Sequence, residues 1–261
     1  MRINKEELKN IKAFQEEKDK FYLLLLIATA SDPLFYSDLE TYVIGRSEKP
    51  YPTWIWTKDN LPLDKLELLK NDLDNFIEEG QTKLTCKKEL YDYLAIEYQT
   101  EDYFEMGYLS CKEAIKPLKG KGIFVKPNYA DKVTLAEYWR RNCKETKENP
   151  NITQQEALET AESWIEDKNF YVLKDSSGEI VCMAGFSILE DLAKITHVYT
   201  PIEERKKGYC QYLIYSLAKK LLEDGYKPLL YTDYHYIASN IAYKKVGFQD
   251  EGILINFKIN K

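Results

Sequence analysis

The chain has 261 residues, 44% hydrophobic and 31% charged, with a formal net charge of −6. That is enough apolar material for one large domain or two of ordinary size. The acidic balance excludes a broad nucleic-acid-binding face. The longest apolar run, Phe21 to Ala30, is about half the length that spans a bilayer and starts too far into the chain for a secretory leader. A cytoplasmic protein without membrane or nucleic-acid partners is therefore expected. The five cysteines, Cys86, Cys111, Cys143, Cys182 and Cys210, contain no C-x-x-C pair, which suggests reduced thiols. With only His197 and His235 as histidines, no metal site is expected.

In chain order, Asn4 to Lys20 carries Leu8, Ile11 and Phe14 at helical spacing. Tyr51 to Thr57 (YPTWIWT) alternates as a strand rich in β-favouring aromatics. Lys65 to Gly80 predicts a helix with Leu66, Leu69, Leu73, Phe76 and Ile77 on one face and Gly80 as its stop. Leu90 to Tyr98 fits neither period decisively. Phe104 to Cys111 and Gly122 to Val125 read as short strands. The composition shift at Lys116 to Lys126 divides the chain into an N-terminal α/β domain, 1–121, and a second domain, 122–261.

The second half is more regular. Ala130 to Cys143 and Gln154 to Lys168 predict two helices, the latter opened by a capping box of Thr153 and Glu156. This gives Asn151-Ile152-Thr153 a structural reading in place of a glycosylation signal. Phe170 to Lys174 and Glu179 to Ile188 predict strands joined by the turn Asp175-Ser176-Ser177-Gly178. Ala193 to Thr200 is a third strand and Gly208 to Glu223 a long helix. Pro228 to Thr232 is a strand, Ser239 to Val246 a short helix, and Phe248 to Ile259 the last strand. The order α-α-β-β-β-α-β-α-β implies a mixed sheet with helices on its faces, an α/β (α+β) fold. No internal repeat shows at the level of motifs.

Chemistry concentrates after the third strand. Pro201 opens a turn, Arg205, Lys206 and Lys207 form a local basic cluster, and Gly208 precedes the helix. Free N–H groups of a first helical turn, with the helix dipole, favour an anion. A glycine there lets backbone approach a ligand. An ordinary strand–helix turn with a solvated basic face explains the same residues.

V-Y-T-P-x-x-x-R-x-x-G-Y at Val198 to Tyr209 resembles the central motif of GNAT-type N-acetyltransferases, R/Q-x-x-G-x-G/A, with Cys210 departing from the last small position. Asn240, Tyr243, Gly247 and Phe248 resemble the family's closing motif, N-x-x-Y-x-x-x-G-F/Y. The resemblance covers about Lys126 to Lys261 and is nearest to two-part bacterial members with a divergent first half. In some relatives that half is a degenerate copy of the same fold, with which YPTWIWT is compatible. It implies a mostly antiparallel sheet flanked by helices, and acetyl-CoA as acetyl donor substrate. The coenzyme would lie against Val198, Tyr199, Thr200, Arg205, Lys206, Lys207, Gly208, Tyr209, Cys210, Thr232, Asn240 and Tyr243. The strand Ile195 to Thr200 would splay from Leu229 to Asp233 to admit the pantetheine arm. The implied reaction is direct attack by a small-molecule or peptide amine, with Tyr243 as general acid. His197 is a candidate base, with Glu190, Asp191, Asp233 and His235 as alternatives. A coenzyme-binding sensor or partner-binding module without catalysis is the competing reading.

Overall fold

The computed structural model describes residues 1–47, 51–77 and 82–260. By compactness the chain forms two units, neither continuous in sequence. The N-terminal unit takes residues 1–108 and regains 231–236 and 251–261; the C-terminal unit takes 109–230 and 237–250. The sequence reading divided the chain consecutively at 121/122. In the structure the change of unit falls within β6, β11 and β12 and at the turn before Ile237.

The N-terminal unit begins with β1 (Arg2–Ile3) and the short helices α1 (Lys5–Asn10) and α2 (Lys12–Glu16). One helix was expected over this segment. Ile11 is instead extended, at φ −76° and ψ 91°, and Leu8, Ile11 and Phe14 are all buried. Next come α3 (Tyr22–Ile27), β2 (Leu34–Ser37), β3 (Tyr42–Arg46), β4 (Thr53–Thr57), α4 (Leu63–Phe76), β5 (Thr82–Cys86), α5 (Lys88–Glu97) and β6 (Gln99–Cys111). The apolar run from Phe21 thus supplies a buried helix. Leu90 to Tyr98 is helical, with Leu90 and Leu94 buried. The expected stop at Gly80 lies outside the described residues.

Strands β2, β3 and β4 form an antiparallel meander, and β5 runs parallel to β4 through Thr53–Leu84 and Trp54–Thr85. Leu69, Leu73, Leu84, Leu94 and Phe257 share its core.

The C-terminal unit holds β7 (Ile123–Val125), α6 (Lys132–Thr146), α7 (Gln154–Glu166), β8 (Phe170–Lys174), β9 (Ile180–Leu189), β10 (Leu192–Tyr199), α8 (Tyr209–Glu223), β11 (Lys227–Asp233), α9 (Ile237–Lys245) and the start of β12 (Phe248–Asn260). The expected caps are present. Thr153 accepts from the Glu156 N–H at 3.2 Å, and Glu156 accepts from the Thr153 N–H at 2.7 Å. Asp175 accepts from the Ser177 and Glu179 N–H groups, and Gly178 is left-handed.

Strands β8, β9 and β10 are antiparallel, and β11 runs parallel to β10. Ala193 and Ile195 of β10 bury toward α8, beside Leu213, Leu217 and Tyr243. The other face of this sheet, with Met183 and Tyr199, packs on α6 and α7.

The two halves therefore run one series: three antiparallel strands, a helix, a strand parallel to the third, a second helix and a closing strand. The closing strand of the second series pairs with β5, through Ile255–Cys86 and Phe257–Leu84, and so completes the N-terminal unit. The repeat lies in the order of elements, not in residues.

Candidate active site

The site is built where β10 and β11 separate. Their parallel register runs through Leu192–Lys227, Ala193–Pro228 and Lys194–Leu229. Beyond it β10 is irregular: its register with β9 shifts between Thr196 and Tyr199, and His197 takes a left-handed φ of 53°. A bulge of this kind leaves ladder groups unpaired and re-aims side chains. It carries Val198 toward the α8 side, where it packs with Tyr209, Cys210 and Tyr243. It leaves the His197 ring on the α6/α7 side, with centroids 5.4 Å from Trp139 and 5.2 Å from Trp164. The two expected catalytic side chains thus lie on opposite faces of the sheet.

The turn that follows is pinned from within. Arg205 donates through Nε to the Thr200 carbonyl at 2.9 Å and through Nη2 to Glu145 at 2.5 Å. Tyr199 donates to the other Glu145 oxygen at 3.0 Å. The guanidinium therefore holds the turn to α6, and the Thr200 carbonyl is already engaged. Lys207 pairs with Glu204 at 2.9 Å, and Lys206 is left-handed and exposed. Cys210, the second residue of α8, is within bonding reach of Cys182 and Thr200, and Cys182 Sγ lies 3.0 Å from Thr200 Oγ1.

Gly208 is the N-cap of α8, left-handed at φ 91° and without a side-chain cap. A Cβ there would lie 2.9 Å from the Gly120 nitrogen and from the Lys119 carbonyl carbon. The glycine is thus required by its φ and by a crossing chain segment, where the sequence reading assigned its smallness to an approaching ligand. Gly208 itself offers no side-chain acceptor to the first turn of α8. An anionic ligand fits this uncapped end.

The model of the Acetyltransferase (GNAT) family matches residues 136–248. Over these residues the chain carries a GNAT acetyltransferase domain by that match. The match takes in β8 to α9 and every proposed site residue. None of the curated proteins matches the chain.

Solved structures share the fold over nearly the whole chain. A GNAT-family acetyltransferase from Colwellia psychrerythraea aligns with a TM-score of 0.59 at 11% identity, covering 95% of this chain and 97% of its own. A GCN5-related N-acetyltransferase from Sphaerobacter thermophilus gives 0.60 at 11%, covering 99% and 94%. One from Kribbella flavida gives 0.55 at 10%, covering 93% and 95%. The mostly antiparallel GNAT-like sheet flanked by helices is thus the architecture of the chain.

Within the GNAT domain, α9 presents Asn240 half-buried and Tyr243 at 7% exposure. Gly247, left-handed at φ 104°, lets the chain pass the Glu113 carbonyl, which a Cβ would meet at 2.0 Å. Thr232 lies on the part of β11 that belongs to the other unit. His235 is an exposed partner of Glu105 at 3.0 Å, and Asp233 accepts the His235 N–H at 2.9 Å. Glu190 is a left-handed residue of the β9–β10 turn, and Asp191 accepts the Lys227 N–H at 2.8 Å. Loss of water around its ring, set against Trp139 and Trp164, and the Lys194 charge lower His197 from its ordinary value, so it is neutral at pH 7.

Sequence reasoning missed two residues. Glu145 carries no motif, and its helix position hides its grip on both Arg205 and Tyr199. Lys194 is signalled only by being a charge inside an apolar strand. Burial pulls it down to about 8. Among the described residues no cluster of three metal-ligating side chains occurs, and no helix is long and apolar enough to cross a membrane.

Proposed function

We propose that the C-terminal unit transfers the acetyl group of acetyl-CoA to an amine acceptor by direct attack. The observation that carries this reading is the parting of β10 from β11 after Lys194–Leu229, followed by the uncapped start of α8. The gap supplies unpaired strand groups for a pantetheine amide, and the helix start supplies N–H donors for the pyrophosphate. Acetyl-CoA, the acetyl donor, supplies an activated thioester.

The acceptor nitrogen must be neutral to attack. His197, neutral at pH 7, takes a proton from the acceptor side of the sheet. The C–N bond then forms as the C–S bond breaks, and the electron pair leaves on sulfur. Tyr243 supplies the proton to that thiolate and is left to regain one from solvent. Main-chain N–H groups at the Thr196–Tyr199 bulge stabilise the developing oxyanion.

The test combines coenzyme binding with turnover. Acetyl-CoA at millimolar concentration is expected to raise the melting temperature, and thiol release is expected only when an amine is added. Absence of any thermal shift overturns the proposal. Tyr243→Phe with unaltered turnover overturns the acid assignment alone.

A further inference from the structure

Two thiols meet under the turn that leads into α8. Cys182 lies on β9 and faces α8, in one core cluster with Ala184, Leu213 and Leu217. It is fully buried. Cys210 is the second residue of α8 and only half-buried. It packs on that cluster within bonding reach of Cys182. Thr200 joins the pair: its Oγ1 lies 3.0 Å from Cys182 Sγ and within bonding reach of Cys210. The transfer proposed above uses neither thiol.

The two sulfurs are unlike. Hydrogen bonds from Cys182 and Thr200 lower Cys210 against the opposing cost of its burial, whereas burial raises Cys182. A partly accessible thiolate in the first turn of a helix, with a buried thiol beside it, is the arrangement of a peroxide-reactive cysteine and its resolving partner. The other three cysteines differ. Cys86, Cys111 and Cys143 are buried, and burial raises each of them.

We propose that Cys210 and Cys182 form a reversible thiol–disulfide switch on the turn before α8, closed by a hydroperoxide and opened by a dithiol. In the first step the Cys210 thiolate attacks a peroxide oxygen. The S–O bond forms, the O–O bond breaks, and the departing hydroxide takes up a proton as water. Cys182 then attacks the sulfenic sulfur of Cys210. The S–S bond forms, the S–O bond breaks, and the oxygen leaves as water with the Cys182 proton. The two sulfurs lose two electrons and the peroxide gains them; a dithiol returns them by exchange. A covalent bond holds two sulfurs closer than non-bonded contact does. It therefore draws the first turn of α8 toward β9 and displaces the N–H groups offered to the coenzyme. That consequence rests on the acetyl-transfer reading; the cross-link itself does not.

The experiment treats the reduced full chain with hydrogen peroxide, alkylates it in denaturant and maps it by mass spectrometry. A Cys182–Cys210 cross-linked peptide is expected, lighter by two hydrogens and reversed by dithiothreitol, with Cys86, Cys111 and Cys143 still alkylated. Calorimetric titration is expected to show acetyl-CoA bound at least about tenfold more weakly by the cross-linked chain, with recovery on reduction. Cys182→Ala is expected to leave Cys210 as a sulfenic acid that dimedone captures, and Cys210→Ser to leave Cys182 a thiol. The proposal is overturned if Cys182 and Cys210 both stay alkylatable, or if either pairs with another cysteine. It is also overturned if the cross-linked chain binds acetyl-CoA as tightly as the reduced one. If the reduced chain binds no acetyl-CoA, the transfer reading has failed, and the peptide map still decides the cross-link.

Discussion

In the C-terminal unit the chain leaves β10 through Thr200 to Gly208 and enters α8 with a glycine that caps nothing. In the N-terminal unit the equivalent passage from β4 to α4 is Lys58 to Pro62. There Asn60 takes the left-handed conformation at φ 54°, and its N–H donates to the Glu89 carboxylate at 3.3 Å. Pro62 stands at the N-cap. A cavity of about 350 Å³ remains at this turn, lined by Thr57, Lys58, Asn60, Leu66 and Glu89. A carboxylate from the unit's own α5 already stands at its mouth, and it opposes a phosphate by like charge.

The third strands differ as sharply. Every residue of β4 is buried, Trp54 and Trp56 included, whereas β10 leaves Lys194, Thr196 and Val198 half-buried and His197 exposed. One topology thus serves as a sealed core in one unit and an open gap in the other. Neither helix start has a side-chain cap; the comparison teaches that the turns differ in the carboxylate beside them and in the burial of the strand that leads in.

The largest effects should come from the second helices. The seventh residue of α9 is Tyr243, and that of α5 is Leu94, both buried. Tyr243→Phe should lower kcat by about 10²-fold or more while the melting temperature moves little. Leu94→Ala should do the reverse in kind, costing about 2–5 kcal/mol in urea unfolding through the cavity it leaves. Equal stability losses from both would break the contrast.

The turns themselves come next. Gly208→Ala should cost about 1–3 kcal/mol, because an L-residue is strained at φ 91° and its Cβ would press on residues 119 and 120. It should also weaken acetyl-CoA binding. Asn60→Gly, at a milder left-handed position, should stay within about 0.5 kcal/mol of the parent. Calorimetric titration should then find one acetyl-CoA per chain, lost in Gly208→Ala; a second equivalent would mean that Glu89 does not close the N-terminal turn.

The smallest effect concerns pH. The folded-state value of Lys194 lies below its ordinary value of 10.5, at about 8. In that window the unfolded chain binds more protons than the native one, so this residue makes stability rise with pH. Lys194→Met should therefore be more stable than the parent at pH 7.5, by about 1 kcal/mol after allowing for solvent around a half-buried side chain. The advantage should shrink by pH 9.5. Urea melts at the two pH values read the difference, and an advantage that grows with pH would contradict the placement.

Much of the C-terminal unit was legible because its signals are local. Thr153 with Glu156, the Asp175–Gly178 turn, and the apolar stripe of α8 each act within a few residues. Composition was also enough to suggest a strand at YPTWIWT. It was not enough to show that all five residues of β4 are buried, since burial on both faces depends on α3, α4 and their neighbours. Residues expected to bind ligand were located by motif, but their hydrogen bonds were not. Arg205 was read as a phosphate partner, and its side chain is held by Glu145, sixty residues earlier in the chain.

By itself the sequence determined the element order of the C-terminal half, the two motifs and the position of the turn before α8, since periodicity, capping and glycine act over short range. Only the tertiary structure decided the rest. It made the two halves one repeated topology and gave the last strand to the N-terminal unit. It put His197 and Tyr243 on opposite faces through a single bulge, and it set the His197 ring against two indoles. Each of these depends on which distant segments meet, and residue spacing along a chain does not record that.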